Sequence, residues 1–162
     1  MKYLVFALKL EAQAFIDKLK LGKSKSNNNV TIIVSGMGKE NMFNATKEII
    51  NKIKEDDCII NIGICGASSK FNIGELLNIN IEDRTIDNRG VLSCVDKAID
   101  KSNIYDAVDM ESDGFIQATK GLENIYMFKI VSDHFEPHKV TKDGAKKLIY
   151  EKIDEIMTRV ST

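Results

Sequence analysis

Four strand-like runs in this 162-residue sequence end in residue types able to do acid–base or anion-binding chemistry. The first leads to Glu11, the second into Gly36-Met37-Gly38-Lys39, the third into GICGAS at 63 to 68, and the last into Ser132-Asp133. A helix predicted from about Asp109 adds Met110 and Glu111 in its first turn. In open α/β sheets ligands collect outside the carboxyl ends of strands, so these five segments are expected to share one cleft. Carboxyl groups placed there can give and take protons, and a glycine turn into a helix N-terminus can receive an anion.

Each residue also has a plainer role. An aspartate after a strand caps or turns the chain, a glutamate early in a helix complements the helix dipole, and Glu11 shares its stretch with Lys9, Gln13 and Asp17 as on a solvated helix face. Gly36 and Gly38 suit a tight strand-to-helix turn. His134 and His138 lie near Asp133 and Glu136, but Pro137 interrupts any regular helix between them and no third ligand is well spaced, so no metal is expected. Cys65 lies in the expected cleft without a histidine nearby in sequence to activate it, which favours packing or substrate contact over nucleophilic attack.

The elements that must position these groups follow from composition and apolar period. With 43% apolar residues the chain can bury one core, and a single domain over residues 1 to 162 is expected. Lysine and arginine number 23 against 24 acidic residues, with no long block of either sign, which points away from nucleic acid and membrane surfaces and toward a small-molecule or protein ligand. Three cysteines without a CxxC pair, and no signal peptide before the first apolar run, fit a cytoplasmic protein. No apolar run approaches the roughly 20 residues needed to cross a bilayer.

Short β-branched runs alternate with amphipathic stretches, the pattern of an α/β fold. Strands are predicted over 2–7, 30–35, 58–64, 76–81, 90–95 and 125–131. Helices are predicted over 10–20, 40–54, 109–120 and 140–160, the third followed by Gly121 as a C-cap. Residues 22–29 read as a surface turn, and there is no internal repeat.

Five of these segments carry a resemblance. ALKLE at 7–11, SGMGKENMFNAT at 35–46, INIGICGASSKFNIGEL at 60–76, VDMES at 108–112 and KIVSD at 129–133 resemble, in order, motifs of the nucleoside phosphorylase and nucleosidase superfamily. They look most like its methylthioadenosine/S-adenosylhomocysteine nucleosidase branch and related bacterial phosphorylase-like proteins. The resemblance spans most of the chain. It implies a three-layer αβα sandwich with a mixed central sheet, cleavage of the N-glycosidic bond of a purine-type nucleoside, no cofactor, and assembly as a homodimer.

It also implies roles. Breaking that bond builds an oxocarbenium-like sugar and a base anion, so an acid is needed at the leaving base and polar or anionic groups near the sugar. Asp133 matches the family's acid, with Ser132 orienting it; burial of a carboxyl at a strand end favours the protonated form such a step requires. Glu111 would accept hydrogen bonds from the ribosyl hydroxyls while Met110 packs on the sugar face, and Glu11 would activate the attacking water. Gly36, Gly38, Cys65 and Gly66 complete the expected binding set. Carboxylates on opposite sides of a glycosidic bond follow the logic of inverting glycosidases.

The chain departs from the family in places. It is shorter, the missing part falling between GEL at 74–76 and VLSCVD at 91–96, so that only Leu77 to Gly90 remain. The aromatic residue that stacks on the base in relatives has no equivalent in Val95-Asp96-Lys97-Ala98, and Lys129 stands where relatives often place an arginine. A phosphorylase needs a cationic cradle. Arg84, Arg89 and Arg159 all lie outside the glycine motifs, which favours water as nucleophile, with phosphate held by Lys39 or Lys129 as the alternative. A module that binds nucleosides or assembles with weakened catalysis is the third reading.

Overall fold

A computed structural model describes residues 1 to 161. The strands are β1 (Lys2–Phe6), β2 (Val30–Val34), β3 (Cys58–Ala67), β4 (Leu76–Asn78), β5 (Leu92–Cys94), β6 (Ala107–Asp109) and β7 (Ile125–Asp133). The helices are α1 (Lys9–Leu19), α2 (Lys39–Ile50), α3 (Ser112–Thr119) and α4 (Lys142–Arg159). All seven strands join one mixed sheet: β2, β1, β3 and β7 run parallel, β4 lies antiparallel on β7, and β6 lies antiparallel to the far end of β3 with β5 parallel beside it.

Alternation along the central strands sorts the core into two layers, because successive side chains point to opposite faces of a sheet. Leu4, Phe6, Ile60, Ile62, Phe128 and Ile130 pack with Phe15 of α1 and Ile149, Ile153 and Ile156 of α4. Val5, Ala7, Ile59, Met127 and Val131 face the other way, toward Met42 and Ile49 of α2 and Phe115 of α3. The result is an αβα sandwich of three layers, as the sequence predicts.

Strand β3 organises the sheet. Its first half pairs with β1 through Lys2↔Cys58 to Val5↔Asn61, and then it outruns that partner. Two residues of its overhanging end, Gly66 and Ala67, are picked up by β6. This strand, Ala107–Asp109, falls in a stretch where the sequence predicts no strand, and β3 is longer than the predicted 58–64. Three residues between turn-rich segments offer too little alternation to register as a strand, and pairing with β3 supplies the reason for it.

The same tertiary pairing moves the start of α3. The predicted helix from Asp109 begins instead at Ser112, because Asp109 ends β6 and Glu111 takes a non-helical conformation with φ −125°. Helix α2 ends at Ile50 rather than Lys54, since the Asp57 carboxylate accepts the Lys54 N–H at 2.9 Å and fixes a turn there.

Helices α2 and α3 touch backbone to backbone. A Cβ on Gly114 would lie 1.9 Å from the Lys39 carbonyl oxygen and 3.0 Å from the Phe43 nitrogen. Substitution Gly114→Ala must push the two helices apart, a case of overpacking against groups that cannot rotate away. The expected loss is about 3 kcal/mol, a fall in Tm of roughly 10 °C. Thermal denaturation followed by circular dichroism checks this, and an unchanged Tm would contradict the contact.

Candidate active site

Glu11 sits at the third position of α1, where a glutamate can turn back on the start of its own helix. Leu8, the N-cap, has no polar side chain, and its N–H donates to Glu11 Oε2 at 2.9 Å. The other oxygen, Oε1, accepts the Ile64 N–H at 3.1 Å. Ile64 lies in the part of β3 that has passed β1 and not yet reached β6, so the carboxylate takes the place of a missing strand. Glu11 is 2% exposed, which rules out the plainer alternative of a solvated helix face. Burial pushes its carboxyl up to about 7, against the downward pull of the two backbone N–H groups and of the Lys129 ammonium, with Glu111 adding a smaller upward push.

Glu111 occupies the N-cap position of α3 and reaches across to the glycine turn at 36–39. Its Oε1 accepts the Gly38 N–H at 3.0 Å, and its Oε2 the Met110 N–H at 3.3 Å. Gly36 and Gly38 have φ of 90° and 91°, conformations that favour glycine, and they turn β2 sharply into α2. Asp133 ends β7 with 9% exposure. Its Oδ1 meets the Ser132 hydroxyl at 2.6 Å and its Oδ2 accepts the Glu136 N–H at 2.8 Å. Ser132 Oγ also lies 3.2 Å from the Cys65 carbonyl oxygen.

These segments enclose a cavity of about 410 Å³. Glu11, Glu111 and Asp133 all line it, as do Met110, Ser132, Cys65 and Gly66. Gly36 and Gly38 do not; Met37 between them does, and Gly38 acts through its bond to Glu111. The Cys65 thiol is buried, which pushes its pKa upward, with Lys129 pulling the other way more weakly. His134 Nδ1 lies 3.1 Å from the Ala67 carbonyl oxygen. Among the described residues no group of three or more His, Cys, Asp or Glu side chains is disposed to hold a metal ion, and no helix is long and apolar enough to cross a membrane.

The surroundings of two features were not foreseen from the sequence. Val95, Ala98 and Ile99 give the cavity an aliphatic wall. Beneath the cavity, Lys129 is 1% exposed and bridges Asp109 Oδ2 at 2.8 Å and Asn61 Oδ1 at 2.9 Å. Burial by itself would lower the lysine's pKa, but Asp109, Glu111 and Glu11 outweigh it and hold it above its ordinary value. A lysine in the middle of IYMFKIVSD and an asparagine in IINIG are the signals that could have found this pair, since such residues are buried only when partnered.

The fold is the one shared by solved nucleosidase structures. No protein-family model matches the chain, and neither does any curated protein sequence. Among solved structures, the methylthioadenosine/S-adenosylhomocysteine nucleosidase of Neisseria meningitidis, in complex with methylthio-immucillin-A, is 16% identical, covers 98% of each chain and gives a TM-score of 0.68. The Arabidopsis thaliana methylthioadenosine nucleosidase is 16% identical with a TM-score of 0.71, over 99% of this chain and 95% of its own. Futalosine hydrolase of Helicobacter pylori is 13% identical with a TM-score of 0.64, over 95% and 97%.

The burial of Glu11 has a measurable signature. Its folded-state pKa of about 7 lies above the ordinary value of 4.5, so the folded protein holds the extra proton between these values. The contribution to stability is present below about pH 4.5 and lost as pH rises through 7, a total of about 3 kcal/mol. Replacement by glutamine sets an amide N–H against one backbone N–H at every pH, a constant offset. Wild type is therefore expected to lose about 3 kcal/mol relative to Glu11→Gln between pH 4.5 and pH 8.5. Urea denaturation at both pH values checks this, and a pH-independent difference would contradict it.

Proposed function

We propose that this protein hydrolyses the N-glycosidic bond of a purine-type nucleoside. The observation that carries the reading is the convergence of Glu11, Glu111 and Asp133, from three distant segments, on one largely apolar cavity whose lining holds no lysine, arginine or histidine among the described residues. Positive charge for holding phosphate is committed elsewhere. Lys129 is bound to Asp109 and Asn61 behind the wall, Lys39 is half-exposed and paired with Asp96, and Arg84, Arg89 and Arg159 are paired with Asp113, Glu75 and Glu155. In this reading water, not phosphate, is the nucleophile.

In this reading Glu111 accepts hydrogen bonds from the ribosyl hydroxyls and Met110 packs on the sugar. Asp133 delivers its proton to a ring nitrogen of the base as the C1′–N bond breaks and its electron pair passes to the ring. Water adds at C1′ and gives a proton to Glu11, leaving free base and free sugar, and the proton gained by Glu11 balances the one lost by Asp133. Ser132 suits an acid that cycles between charge states: its single hydroxyl hydrogen goes to a charged Asp133, or to the Cys65 carbonyl while a neutral Asp133 donates to Ser132 Oγ. The fold similarity to the nucleosidases supports this assignment.

The working form in this reading is a cytoplasmic homodimer. Met37, on the cavity wall, is 57% exposed, and a second copy laid over it would close the cavity from water. Sedimentation equilibrium is expected to return twice the chain mass, and a monomer at micromolar concentration would overturn that part.

Incubation with methylthioadenosine, S-adenosylhomocysteine, adenosine and inosine is expected to release free base, followed by chromatography, without any requirement for phosphate. Release that depends on phosphate would make the protein a phosphorylase. Binding without release would make it a nucleoside-binding module. Asp133→Asn is expected to lower kcat at least 100-fold with an unchanged circular dichroism spectrum, and a folded, active variant would remove Asp133 as the acid.

A further inference from the structure

We infer that Lys129 is a positioning residue whose buried ammonium, clamped between Asp109 and Asn61, holds Glu11 ready to act as a base. The inference rests on the nucleosidase reading for the role of Glu11. Its structural content is independent of that reading.

Three strands meet at this one ammonium. Lys129 belongs to β7, Asn61 to β3 and Asp109 to the end of β6. Each partner is itself fixed: Asn61 Nδ2 donates to the Val5 carbonyl oxygen of β1 at 3.2 Å, and Asp109 Oδ2 accepts the Ser112 N–H at 2.9 Å at the start of α3. The lysine has no freedom to follow a ligand, and it does not line the cavity. What it can do is place a permanent positive charge.

That charge faces Glu11 across a gap left by glycine. A Cβ on Gly63 would lie 3.2 Å from Glu11 Oε1 and 3.5 Å from Lys129 Nζ, so a side chain there would crowd both the carboxylate and the ammonium, and glycine lets the two come near each other. They do not form an ion pair, and Lys129 therefore acts on Glu11 through space while both Glu11 oxygens remain on backbone N–H groups. The charged groups facing Glu11 are Lys129 from β7 and Glu111 from the loop before α3. The cation opposes both the burial of Glu11 and the charge of Glu111. Without it, Glu11 would hold its proton to higher pH, and a protonated carboxyl cannot take a proton from water.

The test is Lys129→Gln, which keeps a polar contact and removes the charge, beside Lys129→Arg, which keeps the charge. The Glu11 carboxyl is titrated by 13C NMR, and the acid limb of kcat/KM is followed over pH 5 to 9. Lys129→Gln is expected to move both midpoints upward by about one pH unit, while Lys129→Arg stays close to wild type. If Lys129→Gln does not fold, because it strands Asp109, the double variant Lys129→Gln/Asp109→Asn removes both charges of the pair; the lost anion offsets part of the lost cation, so the Glu11 midpoint is expected to move upward by less than in the single variant, and an unmoved or lowered midpoint overturns the inference. A shifted Glu11 midpoint in a protein that releases no base supports the inference and counts against the nucleosidase reading. Base release with an unmoved midpoint and limb, at whatever cost in stability, overturns the inference and leaves that reading standing.

Discussion

A strand that outruns its neighbour leaves backbone groups without partners, and the site is built on how β3 resolves that problem. Past Val5 of β1 and before Val108 of β6, the edge of β3 must be satisfied by something other than a strand. The Glu11 carboxylate does it, taking the Ile64 N–H with one oxygen and the start of its own helix with the other. An unmet N–H buried at that depth costs about as much as a lost hydrogen bond. The carboxylate is thus a structural part first, and its position in the cavity follows from the ladder it completes.

Because the carboxylate replaces a strand, it is taken out of water, and its charge has to be supported. Gly63 contributes by having no side chain, which leaves room for Glu11 and Lys129 on the same face of the sheet. Asn61, Gly63 and Lys129 all lie on the face toward α2 and α3, in register across β3 and β7. A polar seam thus runs through an otherwise apolar layer, ending at Asp109 and the first turn of α3. Glu111 stands two residues beyond, tied to Gly38. The two glutamates of the cavity are in this way connected through the sheet as well as across the opening.

Much of this was legible in the sequence where a strand or helix spans several residues. The period-2 runs of β1, β2 and β7 and the period-3.6 face of α4 lie close to their predicted bounds, and each of the five motifs contributes residues to a common cavity. Short elements held by distant partners were not legible. Ala107–Asp109 is a strand only because Gly66 and Ala67 lie beside it, and the start of α3 moves three residues with it. Glu11 was expected in the cleft, but its polar neighbours Lys9 and Gln13, both exposed, allowed a solvated helix face as well. A helix one turn from a strand end turns a single residue inward, and no local pattern reports which one. Asn61 and Lys129, isolated in apolar runs 68 residues apart, announce burial with a partner without saying that they are each other's.

The backbone contact between Gly114 and Lys39 sets how this cavity can change. With α2 and α3 locked at van der Waals distance, the Gly38–Glu111 side is cast in main chain, and side-chain exchange there has no slack to exploit. The adjoining wall is built differently: Val95, Ala98 and Ile99 belong to an irregular loop between β5 and β6, anchored by the Val95 N–H on the Asp109 carbonyl and by the Lys101 N–H on the Phe135 carbonyl. Drift in ligand preference, by natural divergence or by engineering, has its readiest route through that aliphatic loop, while the main-chain contact behind the Gly38–Glu111 rim stays constant.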